Sequence, residues 1–440
     1  MTEPELKKKF RGLLDSVLGE FDDDLHLVEQ KPTKRILEYD RGSITWQDYI
    51  RPKFEKFFHQ NHNTIRDLKE FNECIDYAIE NYDVISEYHH NRRGLAEILI
   101  TFIADVFAEN NRTLVFTDQE FENVYQKYET DLLAEEFPVR SFIPLHGFSC
   151  DDEEIELDSQ SRIRRVEKSD IELVTDFESP TGGSIPEDWD STSTHFLFEF
   201  EQVVEKTVNS VGCGDIGFEE LDEAKHRIRS IVTALRLAFP GEVGYSTHYD
   251  HTPCAWGGSI TTRTRTVRPL FYTQSMEPTE PDDLQYLYDM MTSIDFESIE
   301  PNLKMSIERF NSSYIRESER VAFADLMIVA EALCSGNDNL SKSALAQRVA
   351  ILLGDNFEKR QDIFESFSDL YDERSYVWGV AHGGGKTTLG DDSLETARRY
   401  VKDLLLLFLD RRTNYDGHGA ILKSLEQKIK QNHLEVEFPE

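Results

Sequence analysis

Arg374 and His382 are the residues of this chain whose side-chain types could do chemistry together. They flank the stretch SYVWGVA, just before three glycines. A guanidinium is always charged and binds an anion such as phosphate through two parallel hydrogen bonds. An imidazole gains or loses a proton near neutral pH, which suits acid–base catalysis. Taken alone, the pair is more simply explained as an arginine bound to a carboxylate and a histidine near a helix end.

The glycines that follow His382 form the sequence GGGKTT, which invites comparison with a phosphate-binding P-loop. A P-loop needs a glycine, four residues and then Gly-Lys-Ser/Thr, so that backbone amides surround the phosphates. Counting back from Gly385 places Val380 where the first glycine should be, and Gly379 comes one residue too early. The preceding residues also have a helical rather than a strand pattern. We therefore expect these glycines to end a helix rather than to bind a nucleotide.

The charge balance is strongly acidic. There are 84 Asp and Glu residues against 48 Lys and Arg, which gives a net charge of −36. Acids spread along the whole chain indicate a protein of a high-salt cytoplasm with a hydrated carboxylate surface. Such a charge disfavours nucleic-acid binding at low salt. At about 1 M salt, where the Debye length is only ~3 Å, a local group of basic residues could still bind RNA, although each phosphate contact would be weakened.

Several features of the sequence bear on cellular location. The 5 cysteines are scattered and odd in number, which is typical of a reducing cytoplasm rather than of a disulfide framework. The N-terminal stretch MTEPELKKKFRGLL has no long apolar core and no small-residue cleavage site, so no signal peptide is predicted. The most apolar runs are shorter than the ~20 residues that span a bilayer. We expect a cytoplasmic protein with no membrane segment.

The chain has three regions of different character. Residues 1–135 have mostly helical patterns, for example at 46–59, 63–81 and 92–109, and no role can be assigned to them. Residues 136–283 mix short alternating stretches, which predict strands, with one helix at 218–239. Residues 284–440 again have helical patterns, separated by glycines and polar clusters, and predict an all-α bundle. The predicted helices cover 284–292, 301–315, 319–335, 341–353, 356–372, 393–410 and 418–431. The predicted fold class is therefore α+β and multidomain, with domains at 1–135, 136–283 and 284–440.

The sequence HYDHTPC places His248, His251 and Cys254 close together, with Cys213 upstream. Zinc is usually bound by four nitrogen or sulfur ligands from two clustered pairs. This spacing matches no standard zinc finger, so these are interpreted as ordinary loop residues. No metal and no cofactor is predicted.

A second group of candidates lies in TTRTRTVRP, where Arg263 and Arg265 fall on one face of a predicted strand and Arg268 on the other. A row of arginines in so acidic a chain could bind phosphates of RNA. The simpler alternative is a solvated strand face balanced by neighbouring carboxylates. Single acids on the C-terminal helices are likewise expected to be solvated or paired; they are Asp325, Glu331, Asp372 and Glu373.

Three segments of the C-terminal third occur in a recognisable order: ERFNSSYIRESERVAFADLMIVAEALCSG, SKSALAQRVAILLGDN and DLYDERSYVWGVAHGG. Upstream of them stand PLHGFSCDDEEIELDSQSRIRRV and TALRLAFPGEVG. Together these segments resemble ApeA-like proteins with a C-terminal HEPN domain. In that family a helix of the type D-L-x-I-A-x-E-A-L precedes one of the type A-x-R-x-A-x-L-L, and then Y-D-x-R-S and V-x-H-G follow. The resemblance covers roughly residues 140–435.

The resemblance implies a helical bundle that forms a homodimer, and a metal-independent ribonuclease site made by Arg374 and His382. The histidine would take the proton of a ribose 2′-hydroxyl as it attacks the adjacent phosphate. The arginine would hold that phosphate, and Ser375 would orient it. Family members linked to phage defence by abortive infection cleave RNA once triggered. The alternative is a non-catalytic HEPN protein, an RNA- or protein-binding or regulatory module.

The spacing of the pair departs from the family pattern. Seven residues, Ser375 to Ala381, separate Arg374 from His382, whereas family members of the type R-S-x-x-V-H-G have four. Eight positions along a straight helix correspond to about 12 Å. The two side chains would have to lean towards each other, the chain would have to bulge at Gly379, or a second copy of the chain would have to supply one group.

Overall fold

The protein is mostly helical, with a small antiparallel sheet, as seen in a computed structural model. The predicted α+β class is confirmed at this level. The structure describes residues 4–21, 34–40, 43–49, 57–58, 60–81, 92–108, 116–167, 169–170, 173, 196–205, 218–239, 243–245, 247–251, 260–264, 281–316, 318–335, 340–380, 389–390, 392–410 and 418–432.

The chain divides into two compact units. The first contains residues 1–144, 160–225 and 247–265, and the second contains residues 145–159, 226–246 and 266–440. The three-domain division with boundaries near residues 135 and 283 stays a prediction.

The helices of the first unit build its main apolar core. They are α1 (Pro4–Phe21), α2 (His62–Asp67), α3 (Lys69–Asn81), α4 (Arg92–Ala108) and α5 (Asp118–Leu133). Aromatic side chains meet at its centre, where the rings of Phe10 and Phe102 lie 4.5 Å apart and those of Phe102 and Tyr128 lie 5.0 Å apart, both edge to face. These large side chains bury much apolar surface and so stabilise the helical packing.

The N-terminal region also contains two strands that the helical patterns did not predict. They are β1 (Lys34–Asp40) and β2 (Ser43–Tyr49), which pair antiparallel from Lys34↔Tyr49 to Asp40↔Ser43. The helix predicted over 46–59 is therefore wrong at residues 46–49. Cross-strand hydrogen bonds satisfy the backbone there in place of helical ones.

Five further strands lie in one sheet, in the order β5-β6-β3-β7-β8. They are β3 (Glu136–Leu145), β5 (Ser161–Arg165), β6 (Phe196–Glu205), β7 (Thr247–His251) and β8 (Ile260–Thr264); the short strand β4 (Glu154–Glu156) belongs to the second unit. β3 pairs with β7, β5 with β6 and β7 with β8, all antiparallel. Phe142 and Tyr249 stack across the β3–β7 pair, with ring centroids 5.1 Å apart.

The second unit is a helical assembly around one central helix. Its helices are α6 (Phe218–Ala238), α7 (Pro281–Thr292), α8 (Pro301–Ser313), α9 (Glu319–Ser335), α10 (Lys342–Leu353), α11 (Phe357–Val380), α12 (Ser393–Leu409) and α13 (His418–Asn432). Only the part of α6 from His226 onwards belongs to this unit. Helix α9 packs against α8, α10, α11 and α12. Its sequence VAFADLMIVAEAL is apolar on most sides, as a helix surrounded by others requires.

The predicted C-terminal helices are confirmed to within a few residues at most ends. Helix α11 extends beyond the periodic pattern at 356–372 as far as Val380, and Arg374 lies inside it. That Gly383–Gly385 end this helix stays a prediction, because these glycines lie outside the described residues. Across the described parts of the chain, no helix combines the length and apolar character that crossing a bilayer requires.

Candidate functional site

Arg374 is held in place by two side chains of the second unit. Its Nη2 donates a hydrogen bond to Glu331 Oε2 at 2.8 Å, and its Nη1 donates to the hydroxyl of Tyr371 at 3.1 Å. The Tyr371 hydroxyl in turn donates to Glu331 Oε1 at 3.2 Å. We call Arg374, Tyr371 and Glu331 the Arg374 cluster. Its arginine side chain is 21% exposed and its glutamate 30% exposed, so the cluster is partly open to solvent.

Helix geometry explains how the Arg374 cluster forms. Tyr371 and Arg374 are three residues apart on α11, so their side chains lie on the same face, and the guanidinium lies over the tyrosine ring at 5.1 Å. Glu331 comes from α9, which packs against α11. Burial, together with the charge of Glu331, raises the pKa of Tyr371 above its ordinary value. The phenol therefore keeps its proton at neutral pH and can donate to the carboxylate.

The sequence predicts that Glu331 is solvated or paired, and the structure shows that it is paired. Its partner is Arg374, the arginine of the candidate site. A signal was present, because Glu331 belongs to the AEAL end of DLMIVAEAL, and Tyr371 and Arg374 belong to YDERS. Residues from two of the quoted motifs, 43 positions apart, thus meet in one polar cluster.

The remaining members of the predicted catalytic set are described less completely. Ser375 follows Arg374 in α11, and its side chain lies outside the part of the chain that the structure describes. His382 lies outside the described residues altogether. The helix is continuous from Arg374 to Val380, which is about 9 Å of axial rise. The helix therefore does not bulge at Gly379, and a bulge there cannot bring His382 closer to Arg374.

Other polar residues of the same motifs have structural partners. Asp325, 3% exposed, accepts hydrogen bonds from Arg309 Nη1 at 2.8 Å and from Arg316 Nε at 2.7 Å. Arg348 Nη1 donates to the carbonyl of Cys334 at 2.6 Å, near the C-terminal end of α9. These contacts satisfy buried polar atoms and helix-end carbonyls, so they stabilise the bundle rather than form a site.

The two acids next to Arg374 in sequence do not bind it in the structure. Asp372 accepts from Lys342 Nζ at 2.6 Å on the exposed surface. Glu373 Oε2 accepts from the amide of Gly390 at 3.4 Å. Both of these carboxylates have other partners, whereas the carboxylate of Glu331 binds the guanidinium of Arg374.

The predicted RNA-binding arginines are only partly described. Arg263 lies on β8, in backbone register with His248 of β7, and its side chain is outside the described part. Arg265 and Arg268 also lie outside the described residues. Their role in RNA binding stays a prediction.

A different arginine group, which sequence analysis did not single out, stands on the sheet of the first unit. Arg140, Arg162 and Arg164 surround two carboxylates, those of Asp170 and Glu199, whose side chains are 0% and 1% exposed. We call these five residues the arginine–carboxylate cluster. Its distances include 2.7 Å from Arg140 Nε to Glu199 and 2.8 Å from Arg164 Nη2 to both acids. Because its arginines are already bound to acids, we interpret the cluster as structural.

The histidines considered for zinc are not arranged as a metal site. His248 and His251 are three residues apart on β7 and so lie on opposite faces of the sheet. His248 Nε2 lies 2.8 Å from Asp250 Oδ1, to which Ser141 donates at 2.6 Å. Cys213 and Cys254 lie outside the described residues, and within those that are described no group of three metal-binding side chains occurs.

His251 gives a prediction about pH. Burial, with the charges of Arg140 and Lys127, lowers its pKa from 6.5 to about 4. In the unfolded chain the imidazole takes up a proton near pH 6.5, but the folded protein resists this until the pH reaches about 4. The free energy of unfolding should therefore fall as the pH falls through this window.

This effect can be measured from the urea midpoint at several pH values. His251→Gln should make the midpoint less dependent on pH between about 6.5 and 4. Gln119→Ala, in α5 at a position whose side chain carries no ionisable group, serves as the control and should leave the dependence as it is in the wild type. An identical pH dependence in wild type and His251→Gln would contradict the prediction.

Comparison of the chain with protein-family models, with curated proteins and with solved structures found no match. The resemblance to ApeA-like HEPN domains therefore rests on the sequence motifs alone and stays a prediction.

Proposed function

We propose that this protein is a metal-independent endoribonuclease of the HEPN type, in which Arg374 and His382 act on RNA. The observation that carries the proposal is the Arg374 cluster, in which residues of two HEPN-like motifs meet around one partly exposed guanidinium. The carboxylate of Glu331 and the hydroxyl of Tyr371 fix its position. Fixed, partly exposed arginines are typical of sites that bind phosphate.

In the proposed reaction His382 removes the proton of a ribose 2′-hydroxyl. The 2′-oxygen attacks the adjacent phosphorus, and the 5′-oxygen of the next nucleotide leaves and takes a proton from water. The products carry a 2′,3′-cyclic phosphate and a 5′-hydroxyl. Arg374 stabilises the charge that builds up on the phosphate oxygens, and Ser375 orients the phosphate. Histidine suits the role because its ordinary pKa lies close to neutral pH.

The proposal also covers the helical bundle that carries the site and the biological role of the protein. The C-terminal helices form a HEPN-type bundle that dimerises, the protein acts in the cytoplasm, and its activity serves phage defence by abortive infection. Dimerisation would offer one answer to the spacing of the pair, because His382 of one copy could reach Arg374 of the other.

A second candidate is a non-catalytic HEPN module that binds RNA or protein. It is favoured by the charge of the Arg374 cluster, because Glu331 already neutralises the guanidinium with a 2.8 Å hydrogen bond. An arginine paired in this way binds a further anion less strongly than a free one does. Under this alternative the cluster joins α9 to α11, and substitutions in it alter stability without altering any reaction.

The experiment that tests the proposal compares two substrates of identical sequence, one of RNA and one with a 2′-O-methyl group on every ribose. The purified protein is incubated with each in buffer of molar KCl and EDTA, at protein concentrations above that of the RNA. We expect cleavage of the RNA alone, with 2′,3′-cyclic phosphate ends identified by mass spectrometry. Cleavage of both substrates, or 5′-phosphate product ends, would contradict the proposed reaction.

A further inference from the structure

The reaction proposed for Arg374 and His382 needs an acid as well as a base. When the bond between phosphorus and the 5′-oxygen breaks, the electron pair stays on the oxygen, which then has to gain a proton. Water can supply this proton, but water is a weak acid with a pKa of about 15.7. A side chain that holds a proton next to the phosphate would supply it faster, typically by about 100-fold or more. Such a group would have to lie beside Arg374, which holds the phosphate in the proposed reaction.

The hydroxyl of Tyr371 lies in that place. It is 3.1 Å from Arg374 Nη1, and the side chain of Tyr371 is only partly buried. Nη1 carries two N–H groups, so one can stay on the hydroxyl while the other binds a phosphate oxygen. Such an oxygen lies about 2.7–2.9 Å from the nitrogen. A phosphate bound to Arg374 therefore comes close to the Tyr371 hydroxyl, because both contact the same nitrogen.

Tyr371 is in the protonation state that an acid requires. Burial and the charge of Glu331 raise the pKa of Tyr371 above its ordinary value, so the phenol holds its proton at neutral pH. The charge of Arg374 acts in the opposite direction, and it stabilises the phenolate that remains once the proton has been given away. A phenol, with an ordinary pKa of about 10, is also a much stronger acid than water.

The hydroxyl proton of Tyr371 is held only weakly by Glu331. The distance from the hydroxyl to Glu331 Oε1 is 3.2 Å, whereas O–H···O hydrogen bonds are usually about 2.7–2.8 Å long. The shorter contact of Glu331 is with Arg374, at 2.8 Å through its other oxygen. Rotation about the C–O bond of the phenol can turn the proton from the carboxylate towards a bound substrate, because a hydroxyl hydrogen rotates without any movement of the ring.

We propose that Tyr371 replaces water as the general acid of the reaction and gives its hydroxyl proton to the leaving 5′-oxygen. This role rests on the proposed ribonuclease function. His382 takes the proton of the 2′-hydroxyl, and the 2′-oxygen forms its bond to phosphorus. The bond from phosphorus to the 5′-oxygen breaks as that oxygen takes the proton of Tyr371. Afterwards the phenolate takes up a proton from water and His382 releases one, so the protein returns to its starting state.

The test compares two RNAs that differ in one atom, at a bond that the wild type cuts. One has the natural 5′-oxygen there and the other has sulfur, and 2′-O-methyl groups block every other bond. A thiol has a pKa of about 8.5, so a thiolate leaves without needing a proton. Single-turnover rates are measured in molar KCl with EDTA. We expect Tyr371→Phe to slow cleavage of the oxygen RNA by about 100-fold or more and that of the sulfur RNA far less.

Two further variants separate the acid from its surroundings. Arg374→Ala should slow cleavage of both RNAs alike, because it removes the contact with the phosphate. The control is Tyr286→Phe on α7, which removes a hydroxyl that likewise donates to a carboxylate, that of Asp410, and should cleave both RNAs as the wild type does. Equal slowing of the two RNAs by Tyr371→Phe, or no slowing of the oxygen RNA, would overturn the role of Tyr371 as an acid. A wild type that cuts no RNA at all would instead overturn the proposed function, and this role with it.

Discussion

Replacing Glu199 with alanine should lower the free energy of unfolding by about 3–5 kcal/mol, the cost of leaving buried charges without their partner. Glu199 is 1% exposed and accepts hydrogen bonds from three arginines, at 2.7 Å from Arg140 Nε, 3.1 Å from Arg162 Nε and 2.8 Å from Arg164 Nη2. Without it Asp170 alone faces Arg140 and Arg164. The change is measured by urea denaturation followed by far-UV circular dichroism.

The matched control for this substitution lies on the same strand. Glu201 is two residues along β6, on the same face as Glu199, but its side chain is 56% exposed. Glu201→Ala should change the free energy of unfolding by no more than about 0.5 kcal/mol. Equal losses for the two variants would contradict the view that burial of the carboxylate makes the arginine–carboxylate cluster stabilising.

The arginine–carboxylate cluster also predicts how the free energy of unfolding depends on pH. Burial opposes ionisation of Glu199, but its hydrogen bond from Arg162 and the charges of Arg140 and Arg164 outweigh burial and lower its pKa. A carboxylate with a lowered pKa stabilises the fold at neutral pH, and this contribution is lost as the pH falls through the folded-state pKa. The Glu199→Ala protein, which lacks this contribution, should lose less stability on acidification than the wild type does.

Replacing Glu331 with glutamine should slow RNA cleavage by about 10- to 100-fold without unfolding the protein, since a small misplacement of a catalytic group has an effect of this size. Under the proposed function Glu331 would act through Arg374, to which it is hydrogen-bonded, and would therefore be a positioning residue. The amide keeps a hydrogen-bond acceptor but loses the charge that holds the guanidinium. The rate is measured under single-turnover conditions with EDTA present.

A double-mutant cycle separates positioning from a general effect on the fold. If Glu331 acts through Arg374, then Glu331→Gln should slow the Arg374→Ala protein no further, because the group it positions is gone. The matched control is Glu358→Gln, the same change at an exposed position of α11, which should cleave at the wild-type rate. Additive losses in the double variant would contradict the positioning role.

The helices of the second unit could be predicted from sequence because each presents a helical apolar pattern between clear stop signals. Helix α9, for example, was expected at 319–335 and is found at Glu319–Ser335. The extension of α11 beyond residue 372 has a physical reason. Its sequence RSYVWGV contains bulky helix-compatible residues, and the lone Gly379 weakens a helix without ending it.

The hairpin of β1 and β2 was missed although its sequence carried a signal. Ile44 and Trp46 alternate with polar residues, and Arg41-Gly42 falls between the two strands. The helical pattern of WQDYIRPKFEKFFH overlaps the second strand and is longer than it. Periodicity over a few residues cannot decide between these alternatives when the partner strand is unknown.

The candidate site could be predicted only in part, because its contacts join distant parts of the chain. Motif spacing pointed to Arg374 but not to Glu331, since the packing of α9 on α11 decides which acid reaches the guanidinium. The arginine–carboxylate cluster was missed for the same reason. Arg162 and Glu199 are 37 residues apart and meet through the register of β5 and β6, which the sequence does not reveal.

The central claim is that Arg374 and His382 together cleave RNA, and the most direct measurement compares four proteins on one RNA in molar KCl with EDTA. They are the wild type, Arg374→Ala, His382→Ala and the control Lys359→Ala, each shown to be folded by circular dichroism. We expect the wild type and Lys359→Ala to cleave at equal rates, and each active-site variant to be slower by about 100-fold or more, the usual effect of losing an acid–base or anion-binding group. An uncut RNA with the wild type, or equal cleavage by all four proteins, would contradict the claim and favour the non-catalytic module.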